Sequence, residues 1–164
     1  MPEWFFLLQW SYISFYAMKY DVDPVLIGAI VWQESKGREC ATRYEPNYKW
    51  LYQVNFFAKE NNITQRTETI HQQISWGLMQ VMGAVCREYG YMGPLNELCK
   101  PELALDYGVK HLKKGIDRYD KLDDAIASYN GGHRVVKLFD GEYENQKYVD
   151  SVKALINQLN KEIL

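Results

Sequence analysis

An all-α, α-dominated fold is predicted by three features of the sequence. Apolar residues recur at helical spacing in several segments, strong helix-start and helix-stop residues bracket them, and no stretch sustains period-two alternation. The chain has 164 residues, enough for one domain with a real hydrophobic core. No linker, repeat or low-complexity tract divides it, so residues 1–164 are expected to form a single domain.

Residues 4–20 carry Trp, Phe, Leu, Tyr, Ile and Met with few polar neighbours and predict a largely buried helix ending near Tyr20-Asp21. Asp23-Pro24 is a strong start signal, with Asp as N-cap and Pro at the first helical position. Val25 to Trp32 is apolar almost all round, the pattern of a central helix buried on every side, and Gly37 offers its stop. Residues 40–74 are the least regular part. Trp50, Leu51, Val54 and Phe57 predict one short helix broken at Asn61-Asn62, and Ile63, Ile70 and Ile74 predict a second. A Gly-containing turn then leads into a short helix ending at Gly90, and Gly93-Pro94 marks a loop. Pro101 opens a helix whose Leu105, Val109, Leu112 and Ile116 form an amphipathic stripe. A helix from Asp123 to Tyr129 is halted by Asn130-Gly131-Gly132. The last helix starts near Asn145 and carries Tyr148, Val152, Leu155, Leu159 and Ile163 on one side.

Apolar residues make up 47% and charged residues 24%, as in ordinary globular chains. Aromatic residues reach 15%, which fits either an aromatic-rich core or a groove whose rings stack on flat ligands. A net charge of −2 argues against nucleic acid, which needs a basic face, and against electrostatic capture of an acidic polymer. Three cysteines, Cys40, Cys86 and Cys99, form neither a disulfide framework nor a zinc site. Cys86 and Cys99 are near enough in sequence to pair, but three free, half-buried thiols are expected. The apolar run Trp4 to Leu8 has no basic stretch before it and no cleavage site after it, and it is far short of a membrane span. It reads as the opening of a core helix, with no export signal and no stable membrane insertion.

Glu34 is out of place by its surroundings. It sits on the last turn of the most apolar helix, in register with Ile27, Ile30 and Val31, so its carboxyl should lie at the edge of the core. Partial desolvation raises a carboxyl pKa and lets it act as a general acid near neutral pH; a solvent-facing Glu at a fraying helix end has the same spacing. Glu34-Ser35-Lys36-Gly37 resembles the E-S-x-G motif of the lytic transglycosylases with a soluble-transglycosylase catalytic domain, a lysozyme-like branch close to goose-type lysozyme. Ser75-Trp76-Gly77-Leu78-Met79-Gln80 resembles the S-x-G-L-M-Q motif of that family. Ala127 to Gly132 resembles A-x-Y-N-x-G, and Tyr148-Val149 with Val152 resembles the Y-V-x-x-V segment. Pro101-Glu102 through Leu112 is similar to the intervening helix. The motifs occur in the family's order and span roughly residues 12–155, with an insertion at about 40–74.

The resemblance implies a lysozyme-like helical domain with a cleft, acting on the β-1,4 bond between N-acetylmuramic acid and N-acetylglucosamine in peptidoglycan. Glu34 is then the acid that protonates the leaving oxygen and the base that frees the C6 hydroxyl to close a 1,6-anhydro ring. By position in the motifs, Ser75, Gly77, Met79, Gln80, Tyr129, Asn130 and Tyr148 are the implied substrate contacts. Three of these have plainer readings: Met79 as packing, Asn130 as a helix end, Tyr148 as core. The resemblance also implies a contrast: related goose-type hydrolases carry acidic residues near the segment matching Ser75 to Gly77, and its lack of any here favours a one-carboxylate route over hydrolysis. Glu45, in Arg43-Tyr44-Glu45-Pro46, is the candidate second acid or substrate contact, and Glu34 with Glu45 or with a bound water would make a muramidase of the same fold. A different class of reading is a non-catalytic, wall-binding virion or secretion-system component.

His71, His111 and His133 are too scattered to suggest a metal site. No phosphate loop or nucleophile elbow is present, so no cofactor is implied. The expected partner is the peptidoglycan glycan strand, met by a monomer on the periplasmic or extracellular side. Lack of a leader in the sequence favours a phage-encoded or machine-delivered protein.

Overall fold

The computed structural model describes residues 1–132, 137 and 141–163; His133 lies outside them. The α-dominated expectation is borne out, with 65% helix and 6% strand among the described residues. The order is α1 (Glu3–Tyr20), α2 (Pro24–Ser35), β1 (Thr42–Tyr44), α3 (Val54–Glu60), α4 (Gln65–Gln72), β2 (Ile74–Trp76), β3 (Val81–Met82), α5 (Gly83–Glu88), a 3₁₀ turn (Leu95–Cys99), α6 (Pro101–Arg118), α7 (Leu122–Gly131) and α8 (Gln146–Ile163). Among the described residues no helix is long and apolar enough to cross a membrane.

The chain divides into two compact units, one of Met1–Gln33 with Val109–Leu164 and one of Glu34–Gly108. In the first, α2 starts where the sequence predicts: the Asp23 carboxylate accepts from the Val25 N–H at 2.8 Å, an N-cap that satisfies one of the unpaired donors of the first turn. Leu26 through Val31 are buried all round the helix. A Cβ on Gly28 would lie 2.9 Å from the Trp10 ring and 3.3 Å from a Leu159 methyl, so this glycine lets α1 and α8 approach α2 closely. Trp32 packs edge-on to Phe5 at 5.3 Å. From α8, Val152 and Leu159 on the expected side are fully buried, and so is Val149 beside them; Tyr148 and Leu155 are half-buried.

The second unit holds the irregular region and carries a small sheet the sequence did not announce. β1, β2 and β3 form an antiparallel sheet in that order, pairing Arg43 with Ser75 and Ser75 with Met82. Strands of two or three residues are too short to show period two, so Ile74, expected on a helix, opens β2 instead. The helix expected from Trp50 begins only at Val54, and Trp50 is 72% exposed. α4 does form, capped by the Thr64 hydroxyl, which accepts from the Thr67 N–H at 3.1 Å.

Residues 40–74 are anchored by a buried polar network. Arg87 on α5 meets Glu68 on α4 through two parallel bonds, Nε to Oε1 at 2.8 Å and Nη2 to Oε2 at 3.0 Å, with both side chains fully buried. Arg87 also donates to the carbonyls of Tyr91 and Gly93 at 2.7 and 2.8 Å, and its guanidinium lies 4.4 Å from the Phe57 ring centre. Gln72 donates to Glu68 and to the Tyr52 carbonyl, and accepts from the Tyr52 N–H. Buried charges persist only when paired and fully hydrogen-bonded, and this pair meets that condition.

The expectation of three free thiols is corrected by the fold. Cys40 and Cys99, 59 residues apart, form a disulfide. Cys86, the sequence-neighbour candidate for Cys99, is buried and free. Burial pushes the Cys86 thiol pKa well above its ordinary value, against a smaller opposing effect of Arg87.

Candidate active site

The site is built on the abrupt end of α2. Helical geometry stops at Ser35 because Lys36 and Gly37 both take left-handed conformations, φ 56° and 77°. Buried Ser35 organises that turn: its hydroxyl accepts from the Gly37 N–H at 3.2 Å, and its carbonyl accepts from Arg38 N–H and Nε at 3.2 and 3.1 Å. Side-chain bonding of a Ser to the backbone two residues on is a local turn device, and the Ser-x-Gly spacing is a signal that could have revealed it. Glu34, one residue before, is half-buried at the helix end.

An open pocket of about 570 Å³ lies here, lined by Glu34, Arg38, Cys40, Ala41, Thr42, Arg43 and Gln80, a volume in the usual range for ligand sites. Its wall is held by a few bonds. The Ala41 carbonyl accepts from the Gly77 N–H at 2.8 Å and from Gln80 Nε2 at 2.8 Å, and Gln80 Nε2 also reaches the Gly77 carbonyl at 3.0 Å. Cys40 is tied to Cys99, and Thr42 and Arg43 belong to β1, paired with β2. Segment 38–43 is thus fixed by a disulfide, a sheet edge and the Gln80 amide together.

Of the residues singled out in the sequence, Glu34 and Gln80 share this pocket. Ser75 is buried on β2, its hydroxyl donating to Met82 Sδ at 3.1 Å. Gly77 has φ +69°, and a Cβ there would fall 2.3 Å from the Leu98 carbonyl oxygen and 2.9 Å from Ala104 Cβ, so the close approach it permits is to protein backbone. Met79 is fully buried, and a Cβ on Gly108 would come within 2.4 Å of its sulfur. The Glu45 carboxylate pairs with Arg43 Nε at 2.5 Å, and Glu45 is not one of the lining residues.

Tyr129, Asn130 and Tyr148 belong to the other unit. The Tyr129 ring lies 5.3 Å from His111, and both line a small pocket with Lys114, Arg118 and Tyr119. Asn130 accepts from Asn145 at 3.1 Å, and the same Asn145 amide donates to the Ala127 carbonyl at 2.9 Å, tying the end of α7 to the residue just before α8. Tyr148, half-buried in the first turn of α8, donates its N–H to the Asn145 carbonyl at 2.9 Å. Sequence reasoning missed Ser35, Arg38 and Cys40. Arg38 carries no motif signal of its own, because only the folded turn after Ser35 brings it to the pocket.

Among the described residues no group of three or more His, Cys, Asp or Glu is placed to hold a metal ion. The model of the transglycosylase SLT domain matches residues 11–151, and no solved structure matches the chain significantly. With that match spanning most of its length, the chain belongs to the transglycosylase SLT domain family, whose members are peptidoglycan lytic transglycosylases.

Proposed function

We propose that Glu34 is the one acid/base of a non-hydrolytic cleavage of the β-1,4 bond between N-acetylmuramic acid and N-acetylglucosamine. The observation that carries this reading is the carboxylate count of the pocket: among the described residues that line it Glu34 is the sole carboxyl, and Glu45 is not one of them. Glycoside hydrolases place two carboxyl groups across the bond, roughly 5–5.5 Å apart for retention and 6.5–9.5 Å for inversion. With one carboxyl, this reading has the same group serve twice. Protonated Glu34 gives its proton to the bridging oxygen as that bond breaks and positive charge grows on the muramic acid C1. Its conjugate base then takes the C6 hydroxyl proton while that oxygen bonds to C1, which returns Glu34 to its starting state and leaves a 1,6-anhydro end. No water is consumed.

Gln80 supports this role by bracing the Ala41 backbone across the pocket. We assign Ser75, Gly77 and Met79 to shaping the segment that carries Gln80, and Tyr129, Asn130 and Tyr148 to substrate contact on the strength of the family motifs. The Cys40–Cys99 disulfide supports action in an oxidising compartment, outside the bacterial cytoplasm. Digestion of purified sacculi followed by mass spectrometry tests the chemistry. Anhydro-ended fragments, one water lighter than reducing-end ones, are expected from the wild type, and Glu34→Gln should lower the rate by at least about a hundredfold. Exclusively reducing ends would replace this reading with a muramidase. Equal clearing by wild type and Glu34→Gln would remove Glu34 from catalysis.

A further inference from the structure

The whole chain carries a net charge of −2, yet among the described residues that line the pocket the balance is reversed: two guanidinium groups, Arg38 and Arg43, beside one carboxyl, Glu34. Resting on the reading of that pocket as the glycan site, we propose that Arg38 and Arg43 recognise a carboxylate of the substrate and so distinguish muramic-acid glycans from uncharged β-1,4 glycans. Arg38 is anchored by one edge, whereas Arg43 carries an exchangeable partner. Arg38 Nε is held on the Ser35 carbonyl at 3.1 Å, and Arg43 Nε is held by Glu45 at 2.5 Å. Holding the Nε edge of Arg38 fixes that side chain and offers its terminal nitrogens, whose planar fork matches a carboxylate.

Lysine would not serve equally, because its ammonium is a point charge without a fork. The Arg43–Glu45 pair is solvent-exposed, at 67% and 37%, and exposed pairs of this kind are weak and easily exchanged. A substrate carboxylate therefore competes with Glu45 for Arg43 at little cost. An N-acetylglucosamine polymer carries no carboxylate. Muramic acid carries one on its lactyl group when the peptide stem is absent, and carboxylates on the stem when it is present. Both sources share the chemistry that two arginines read.

Binding is measured on the full chain carrying Glu34→Gln, which slows turnover, with three glycans of equal length. These are a chitooligosaccharide, a glycan stripped of stems, and a stem-bearing glycan. Tighter binding of the carboxylate-bearing glycans is expected, with an advantage that shrinks as salt rises. Arg38→Gln and Arg43→Gln should each remove about tenfold of affinity for them, leave the chitooligosaccharide unchanged, and keep the parent's melting temperature. Arg38→Lys should fall between. The better-bound of the stripped and stem-bearing glycans identifies which carboxylate is read. Glu45→Gln, which removes the competitor, should tighten binding roughly two- to fivefold; weaker binding would mean that Glu45 itself meets the substrate and would overturn the assignment. Equal losses on all three glycans, or none, would also overturn it. If the wild type clears sacculi while the arginine variants bind as their parent does, only the carboxylate contact falls. If the wild type neither clears sacculi nor binds any glycan, the glycan-site reading falls with it.

Discussion

Replacing Glu68 by Gln keeps the length and branching of the side chain but removes the charge opposite Arg87. In the folded protein both groups are completely buried, and the carboxylate accepts two parallel bonds from the guanidinium and one from Gln72. Glu68→Gln leaves a cation in the interior without its counter-charge. Removal of one partner of a buried pair costs about 3–5 kcal/mol, a large share of a typical domain's stability of about 5–15 kcal/mol. At about 2–4 °C per kcal/mol for a chain of this size, the melting temperature should fall by roughly 6–20 °C. Thermal melts followed by far-UV circular dichroism, with urea titration at 25 °C as a check, measure this directly. The double change Glu68→Leu with Arg87→Met should recover part of the loss. It removes both charges, but strips the Tyr91 and Gly93 carbonyls of their donors, leaving a deficit of about 1–3 kcal/mol. A Glu68→Gln shift below about 2 °C, or a double variant less stable than the single, would refute the view that charge pairing holds this region together.

Other outcomes follow from the same structure. Thiol titration of the unreduced native protein should find no reactive thiol, one after denaturation (Cys86), and three after denaturation and reduction; a fast native thiol would contradict the pairing. Cys40→Ala with Cys99→Ala should cost up to about 4 kcal/mol from the loop that the bridge closes, read as a lower urea midpoint. Gly77→Ala should fail to accumulate as folded protein, since the added carbon meets the Leu98 carbonyl and the backbone has φ +69°; near-wild-type melting would show that this turn relaxes freely. The Tyr143 hydroxyl bonded to Asp124, with Lys137 beside it, holds the Asp124 carboxyl below its ordinary pKa. A depressed carboxyl stabilises the fold above its unfolded pKa, near pH 4, and that contribution is lost as pH falls through the folded value. Wild type should therefore lose more stability than Asp124→Asn on going from pH 6 to pH 3, and parallel pH curves would remove Asp124 from the acid response.

Much of the helical framework was legible because its signals are local. Asp23-Pro24 starts α2 through a bond spanning two residues, and the α6 stripe places Leu105, Val109 and Leu112 in full burial through nothing more than helical periodicity. Residues 40–76 were read less well. There, two- and three-residue strands leave no measurable period, and Trp50 and Leu51 carry apolar spacing without helix. For the site, the position of Glu34 at a helix end was legible. The surroundings of Ser75, Gly77 and Met79 were not, because whether a side chain meets ligand or protein depends on which distant segment lies against it.

By itself the sequence determined the α-dominated class, the family motifs and the single carboxyl at the end of the most apolar helix, since each rests on residues within a few turns of one another. Only the tertiary structure decided that Cys40 joins Cys99 rather than Cys86 being its partner, that Glu68 and Arg87 neutralise each other in the interior, and that two arginines line the pocket beside Glu34. The bridge spans 59 residues and the ion pair 19. Contacts at such separations are set by the path of the chain through the core, which no local pattern of residues encodes.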